Sequence, residues 1–161
     1  MSTRTEALAS RLEQGAAALA QYAAGLTDAQ WRTAVPKDGR TVGVMVHHVA
    51  SVYPLEIQLA QTLAGGKPIV GVTWDVVHQM NAGHAKDNAS VDKAAALALL
   101  KTNSQKAAAD IRALSDAQLD SAAPVSLYAE APVTCGFMLE DHAVRHSFHH
   151  LARIRGAIEG R

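Results

Sequence analysis

A single cysteine, Cys135, leaves the chain without a partner for an internal disulfide and fits a reducing compartment. Aromatic residues make up only 4% of the sequence, against a surplus of alanine and leucine. Strands are normally built from β-branched and aromatic side chains, so a β-sandwich is disfavoured. Lysine plus arginine equals aspartate plus glutamate at 15 each, so no charge excess asks for nucleic acid. The short basic cluster Arg153, Arg155 and Arg161 reads as cations favoured at a helix C-terminus. No apolar run approaches the ~20 residues of a membrane span, and the opening MSTRTEALASRLEQG carries charges where a secretory segment needs apolar residues. These absences point to a soluble, cytoplasmic protein with no nucleic-acid or membrane partner. The length of 161 residues suits one domain over 1–161, which buries roughly two thirds of the surface its unfolded chain exposes.

What is present is helical punctuation. Leu8, Leu12, Ala16, Leu19 and Tyr22 or Ala23 recur at three- and four-residue intervals over residues 4–26. A second helix is predicted from Thr41, after the breaker PKDGR, to Leu63, where AGGKP stops it. Pro54 inside it should kink or break the ladder for a turn. A third helical region covers Thr73–Lys86, with Ser90 capping a continuation through Leu114. The last helix runs from Thr134 to Ala157, about 36 Å at ~1.5 Å per residue. GLTDAQWRTAVP at 25–36 echoes ALSDAQLDSAAP at 113–124, and each reads as a capping box, Thr27 with Gln30 and Ser115 with Gln118. Two helical hairpins of similar plan follow, an all-α four-helix bundle with antiparallel helices as the economical arrangement.

The segment EDHAVRHSFHH at 140–150 places four histidines in eleven positions. With His146 at zero on a helical wheel, His150 falls at about +40°, His142 at about −40° and His149 at about −60°. His146 and His150 are one turn apart and can close on one metal ion. In the second helix Val44, Met45, Val52, Leu55 and Leu59 lie within about 60° of His48, which puts His48 in the apolar seam and His47 about 100° off it. A core imidazole needs a hydrogen-bond partner or a metal, and both readings are open for His48. One histidine from one helix and two from another make three neutral nitrogen ligands with a coordination position left over, as catalytic sites have.

VHHVA in the second helix, WDVVHQMNAGHA in the third region and the terminal HSFHHLARI resemble the DinB-like superfamily of bacterial DNA-damage-inducible proteins, from about Leu26 to Ile158. The resemblance implies an up-down-down-up four-helix bundle, a homodimer, and a divalent metal held by His48, His146 and His150. It also implies a small-molecule substrate and, by the precedent of relatives, a transferase or isomerase using a low-molecular-weight thiol. HLARI departs from the HRGQ or HLGQI of many relatives, placing Arg153 where a small or amide residue is common.

A zinc, nickel, manganese or iron ion would support either hydrolysis or thiol transfer; a non-catalytic metal- or ligand-binding bundle would use the same triad. Binding should weaken below about pH 6.5, as imidazoles protonate. Glu56, two turns past His48, is a candidate general base. His142 is read as a fourth ligand, a ligand-orienting group or a rim residue; His47 and His149 are read as solvent-facing or at a subunit contact, and His78 and His84 as surface residues, of which one could line the mouth of the site. Cys135, in the first turn of the last helix, should have a lowered pKa and could pair with a histidine as nucleophile. The Glu-x-x-His motif of di-iron bundles and the HExxH of zinc peptidases are absent.

Overall fold

The computed structural model describes residues 2–160. Helix α1 (Thr3–Ala24) starts at Ser2, whose hydroxyl accepts the Arg4 N–H. The capping box of Thr27 and Gln30 opens the short α2 (Asp28–Trp31), and Thr41 caps α3 (Val42–Ala64). Thr73 caps α4 (Trp74–Asp87) and Asp92 caps α5 (Lys93–Arg112). The second capping box, Ser115 with Gln118, opens α6 (Asp116–Asp120). A short antiparallel hairpin follows, β1 (Ala122–Val125) on β2 (Ala131–Thr134), with Ala122 opposite Thr134. The chain then runs unbroken through α7 (Cys135–Met138), a π-helical turn (Leu139–Val144) and α8 (Arg145–Glu159), which together form one long final helix.

Contacts at the helix ends fix the directions. Lys93, first residue of α5, donates to the Leu26 carbonyl just beyond α1, and Arg112 at the other end of α5 grips Glu6 and Glu13. Helices α1 and α5 are therefore antiparallel. The Trp31 indole beside Gly43 donates to Val91, so α3 and α5 start at the same end, and Asn103 meets Ala50 halfway along both. Those two are parallel neighbours. Tyr53 meets Ser147 and Glu56 meets His146, whereas His48 faces His150, so the final helix runs against α3. Tyr22 reaches Glu159, so it runs with α1. The bundle is up-down-down-up, as the resemblance implies, rather than the uniformly antiparallel set suggested by the repeated hairpins. Parallel α3 and α5 need a long return connection. Residues 65–92 supply it, with α4 laid outside the bundle and burying no residue fully.

Two further details differ from the sequence reading. The third helical region is two helices, and the cap of α5 is Asp92 rather than Ser90, its carboxylate accepting from Ala95. Pro54 neither ends nor breaks α3. Its missing N–H leaves the Ala50 carbonyl without its helical donor, and the Asn103 side-chain amide of α5 takes that place at 2.8 Å.

The core lies between Leu8, Leu12 and Leu19 of α1, Met45, Val49 and Tyr53 of α3, Leu100 and Ile111 of α5, and Leu139 and Ile154 of the final helix. A large aliphatic side chain buried this way contributes roughly 1.5–3 kcal/mol. The buried face of α3 is broader than the wheel around His48 suggests, and its centre lies elsewhere. Val42–Val46 and Val49 are all buried, whereas Leu55 is exposed. His48 sits at the margin of the core. Among the described residues no helix is long and apolar enough to cross a membrane. Of the basic cluster, Arg153 pairs with Asp38, Arg155 lies over the Tyr22 ring, and Arg161 is outside the described residues.

Candidate metal centre

The second turn of α3 and the body of α8 bring His48, His146 and His150 together. Their ring centroids are 4.8 to 5.4 Å apart, and one nitrogen from each ring lies within 4.8 Å of the other two. The Nε2 atoms of His48 and His146 face each other at 3.2 Å. Two nitrogens at ~2.05 Å from a tetrahedral zinc are about 3.3 Å apart, so this pair already has the spacing such an ion demands.

The electrostatics agree. His146 directs Nδ1 at the Glu56 carboxylate, and a proton held in that bond leaves the His146 Nε2 lone pair facing His48. Burial holds His48 neutral, its pKa pulled down to about 2, with the neighbouring His146 and Arg40 charges adding to the effect. Burial, with His146 and His48 next in importance, likewise lowers the pKa of His150. Both rings stay neutral far below pH 6.5, so protons compete for them less than the sequence suggests. Their Nδ1 atoms are buried without a hydrogen-bond partner among the described residues, as is Oε2 of Glu56. Neutral nitrogens converging from two helices, one oriented by a carboxylate, are a donor set that fits a divalent cation.

The remaining candidates separate clearly. Glu56 is buried and engaged with His146, which is the work of an orienting group rather than of a free base. His142 turns away to the Tyr128 hydroxyl, 2.8 Å from its Nε2, while that hydroxyl donates to Asp141 at 2.6 Å. His78 and His149 are exposed, as expected. His47 and His84 are half-buried rather than fully exposed. They stack on each other, with Nδ1 of His47 2.8 Å from Nε2 of His84, and the His84 ring packs edge-on against His48. Cys135 is fully buried, and burial raises its thiol pKa to about 11. Desolvation outweighs the helix N-terminus there, so the expected thiolate is not formed.

Sequence reasoning missed Asp38 and Arg40, read only as part of a helix-breaking segment. Asp38 accepts two side-chain hydrogen bonds and one backbone hydrogen bond from Arg40 and also pairs with Arg153. The Arg40 charge stands near enough to oppose protonation of both His48 and His150.

With this geometry, the sequence pattern of the DinB superfamily matches residues 11–154. The chain belongs to that superfamily. Among solved structures, YfiT from Bacillus subtilis superposes with a TM-score of 0.73 at 22% identity, over 99% of this chain and 87% of YfiT. YfiT is described as "a probable metal-dependent hydrolase with an unusual four-helix bundle topology". The mycothiol-dependent maleylpyruvate isomerase superposes with a TM-score of 0.72 at 14% identity, over 98% of this chain and 65% of the isomerase. These likenesses establish the DinB-like bundle. No functionally curated protein matches the chain.

Proposed function

We propose that the chain is a divalent-metal-dependent enzyme in which His48, His146 and His150 hold the ion, and that it transfers a low-molecular-weight thiol to a small-molecule substrate. The observation that carries this reading is the convergence of three buried or half-buried imidazoles from α3 and α8, one of them oriented by Glu56. A divalent ion bound there would lower the pKa of an adjacent thiol or water and so supply an anionic nucleophile near neutral pH. Glu56 sets the tautomer of His146, burial keeps His48 and His150 in the ligating form, and the wall of α3 and α8 limits access of bulk water. The bundle that this chain shares with a mycothiol-dependent isomerase supports the choice of thiol. Water as the nucleophile is the second reading, favoured by the description of YfiT.

The test is elemental analysis of protein purified without a histidine tag or nickel column. About one equivalent of zinc, nickel, manganese or iron per chain is expected, and His48→Ala should remove it. Full metal retention by that variant refutes the ligand set. A panel of glutathione, mycothiol and bacillithiol with electrophilic substrates then reads turnover; inactivity with all of them, on metal-loaded protein, leaves a non-catalytic metal binder.

A further inference from the structure

One carboxylate stands between two guanidinium groups beside the triad. Arg40 donates to Asp38 through Nε at 2.6 Å and Nη2 at 2.9 Å, and Nη1 of Arg153 lies 2.9 Å from the same carboxyl group. The cluster therefore keeps one net positive charge. The Asp38 side chain is 9% exposed and that of Arg40 15% exposed, while Arg153 remains 32% exposed. Nη1 of Arg40 is buried without an acceptor among the described residues. Leaving a charged donor buried and unmatched is unfavourable, so the Arg40 charge is only partly satisfied and favours an anion beside it.

The loop that carries Arg40 is firmly held. Val35 donates to the Arg40 carbonyl at 2.9 Å, Gly39 donates back to Val35 at 2.9 Å, and Thr41 immediately afterwards caps α3. Lys37 and Gly39 both adopt left-handed backbone conformations to make the turn. Arg40 on such a support, joined through Asp38 to Arg153 on α8, forms a pre-organised site rather than a solvated pair.

These side chains border an open cleft of about 740 Å³ between the loop, α3, α4 and α8. Lys37, Arg40 and Arg153 bring three cations to it, and Asp38 is the only acid among the described residues that line it. Across the cleft, α4 presents Asn81, Ala82 and Ala85, a short-chained wall that accommodates a small aliphatic body. Val44 lies one turn before His48 on α3, and Arg153 three residues after His150 on α8, so the cleft and the triad are adjoining parts of the same two helices.

We infer that the cleft is an anion subsite, in which Arg40 and Arg153 bind the carboxylate of a small organic acid whose far end reaches the histidine triad. A carboxylate presents two acceptor oxygens in one plane, the shape that the remaining edge of a guanidinium matches. The substrate class named here rests on the metal-dependent reading of the triad, whereas carboxylate binding by the arginines needs no ion.

The experiment compares mercaptopropionate with its neutral amide on zinc-loaded, untagged protein by calorimetry, and propionate with propionamide on the metal-free protein by saturation-transfer NMR. The wild type should favour each acid over its amide by roughly tenfold or more, the size of one charge-assisted hydrogen bond. Arg153→Gln should abolish that preference, and Arg40→Lys, which keeps the charge but loses the planar fork, should reduce it. Equal affinity for acid and amide in the wild type, or an undiminished preference in a folded Arg153→Gln variant, overturns the subsite. A protein that holds no zinc but still selects propionate in an arginine-dependent way retires the metal reading and keeps the anion site.

Discussion

Glu56 and His146 are joined across α3 and α8, with the imidazole Nδ1 against a carboxylate that is buried in the bundle. Because His48 lies two turns earlier on the same helix as Glu56, one helix supplies both a proposed ligand and the group that aims another. Removing the carboxylate charge should loosen the His146 ring without removing a ligand. Glu56→Gln is therefore expected to weaken metal affinity by about 10–100-fold and to leave the helical spectrum intact. Competition with a chromophoric chelator measures this, and wild-type affinity in the variant would show that the contact orients nothing.

The two buried rings also tie stability to pH. In the metal-free protein the folded His48 has a pKa of about 2 and that of His150 is likewise depressed, whereas both titrate near 6.5 when unfolded. Below pH 6.5 the unfolded chain thus binds protons that the folded one refuses, and stability falls as pH falls. These two groups account for roughly 2 kcal/mol of the loss between pH 6 and pH 5, and His47, His84, His142 and His149, whose pKa values burial also lowers, add to it. Urea denaturation of metal-free protein at pH 7, 6 and 5 should show that slope, and His150→Gln should remove about 1 kcal/mol of the loss between pH 6 and pH 5.

The features legible in the sequence were those governed by local chemistry. Thr27 with Gln30 and Ser115 with Gln118 form the predicted capping boxes, and the i, i+4 spacing placed His146 and His150 on one face. Features set by tertiary placement were not legible. His84 meets His47 and His48 only because α4 folds back over the start of α3, which no periodicity within α4 encodes. The wheel assigned His142 the same side as His146 on the assumption of 3.6 residues per turn; the π-helical turn over Leu139–Val144 widens that spacing, and His142 turns to Tyr128 instead. Cys135 was judged by its helix position, whereas its burial decides its chemistry.

Asn103 offers a test of how α3 tolerates its internal proline. The side-chain amide donates to Ala50, whose carbonyl Pro54 cannot serve. Asn103→Leu keeps the branched outline and removes the donor, leaving a backbone acceptor unmatched at the α3–α5 contact. A loss of about 1–3 kcal/mol is expected, with the double variant Asn103→Leu, Pro54→Ala recovering part of it because residue 54 regains its N–H. Chemical denaturation of these two variants and the wild type decides this, and an absence of rescue would assign the loss to packing.

Two helical glycines give opposite expectations for the same substitution. A methyl group at Gly15 would fall 2.7 Å from the Phe148 ring, and one at Gly43 would fall 2.5 Å from Nε1 of Trp31. Phe148 is 42% exposed and free to swing outward, so Gly15→Ala trades a side-chain adjustment against the helix propensity gained, about 1 kcal/mol. Trp31 is buried and its indole is fixed by the bond to Val91, so the clash at Gly43 has no comparable outlet. Gly43→Ala should destabilise by roughly 1–3 kcal/mol and shift the tryptophan emission, whereas Gly15→Ala should be close to neutral. Because Gly43 lies in the first turn of α3, five residues before His48, displacement of Trp31 should also lower metal affinity, and a Gly43→Ala protein with wild-type stability and metal content would show that the start of α3 is not fixed by this contact.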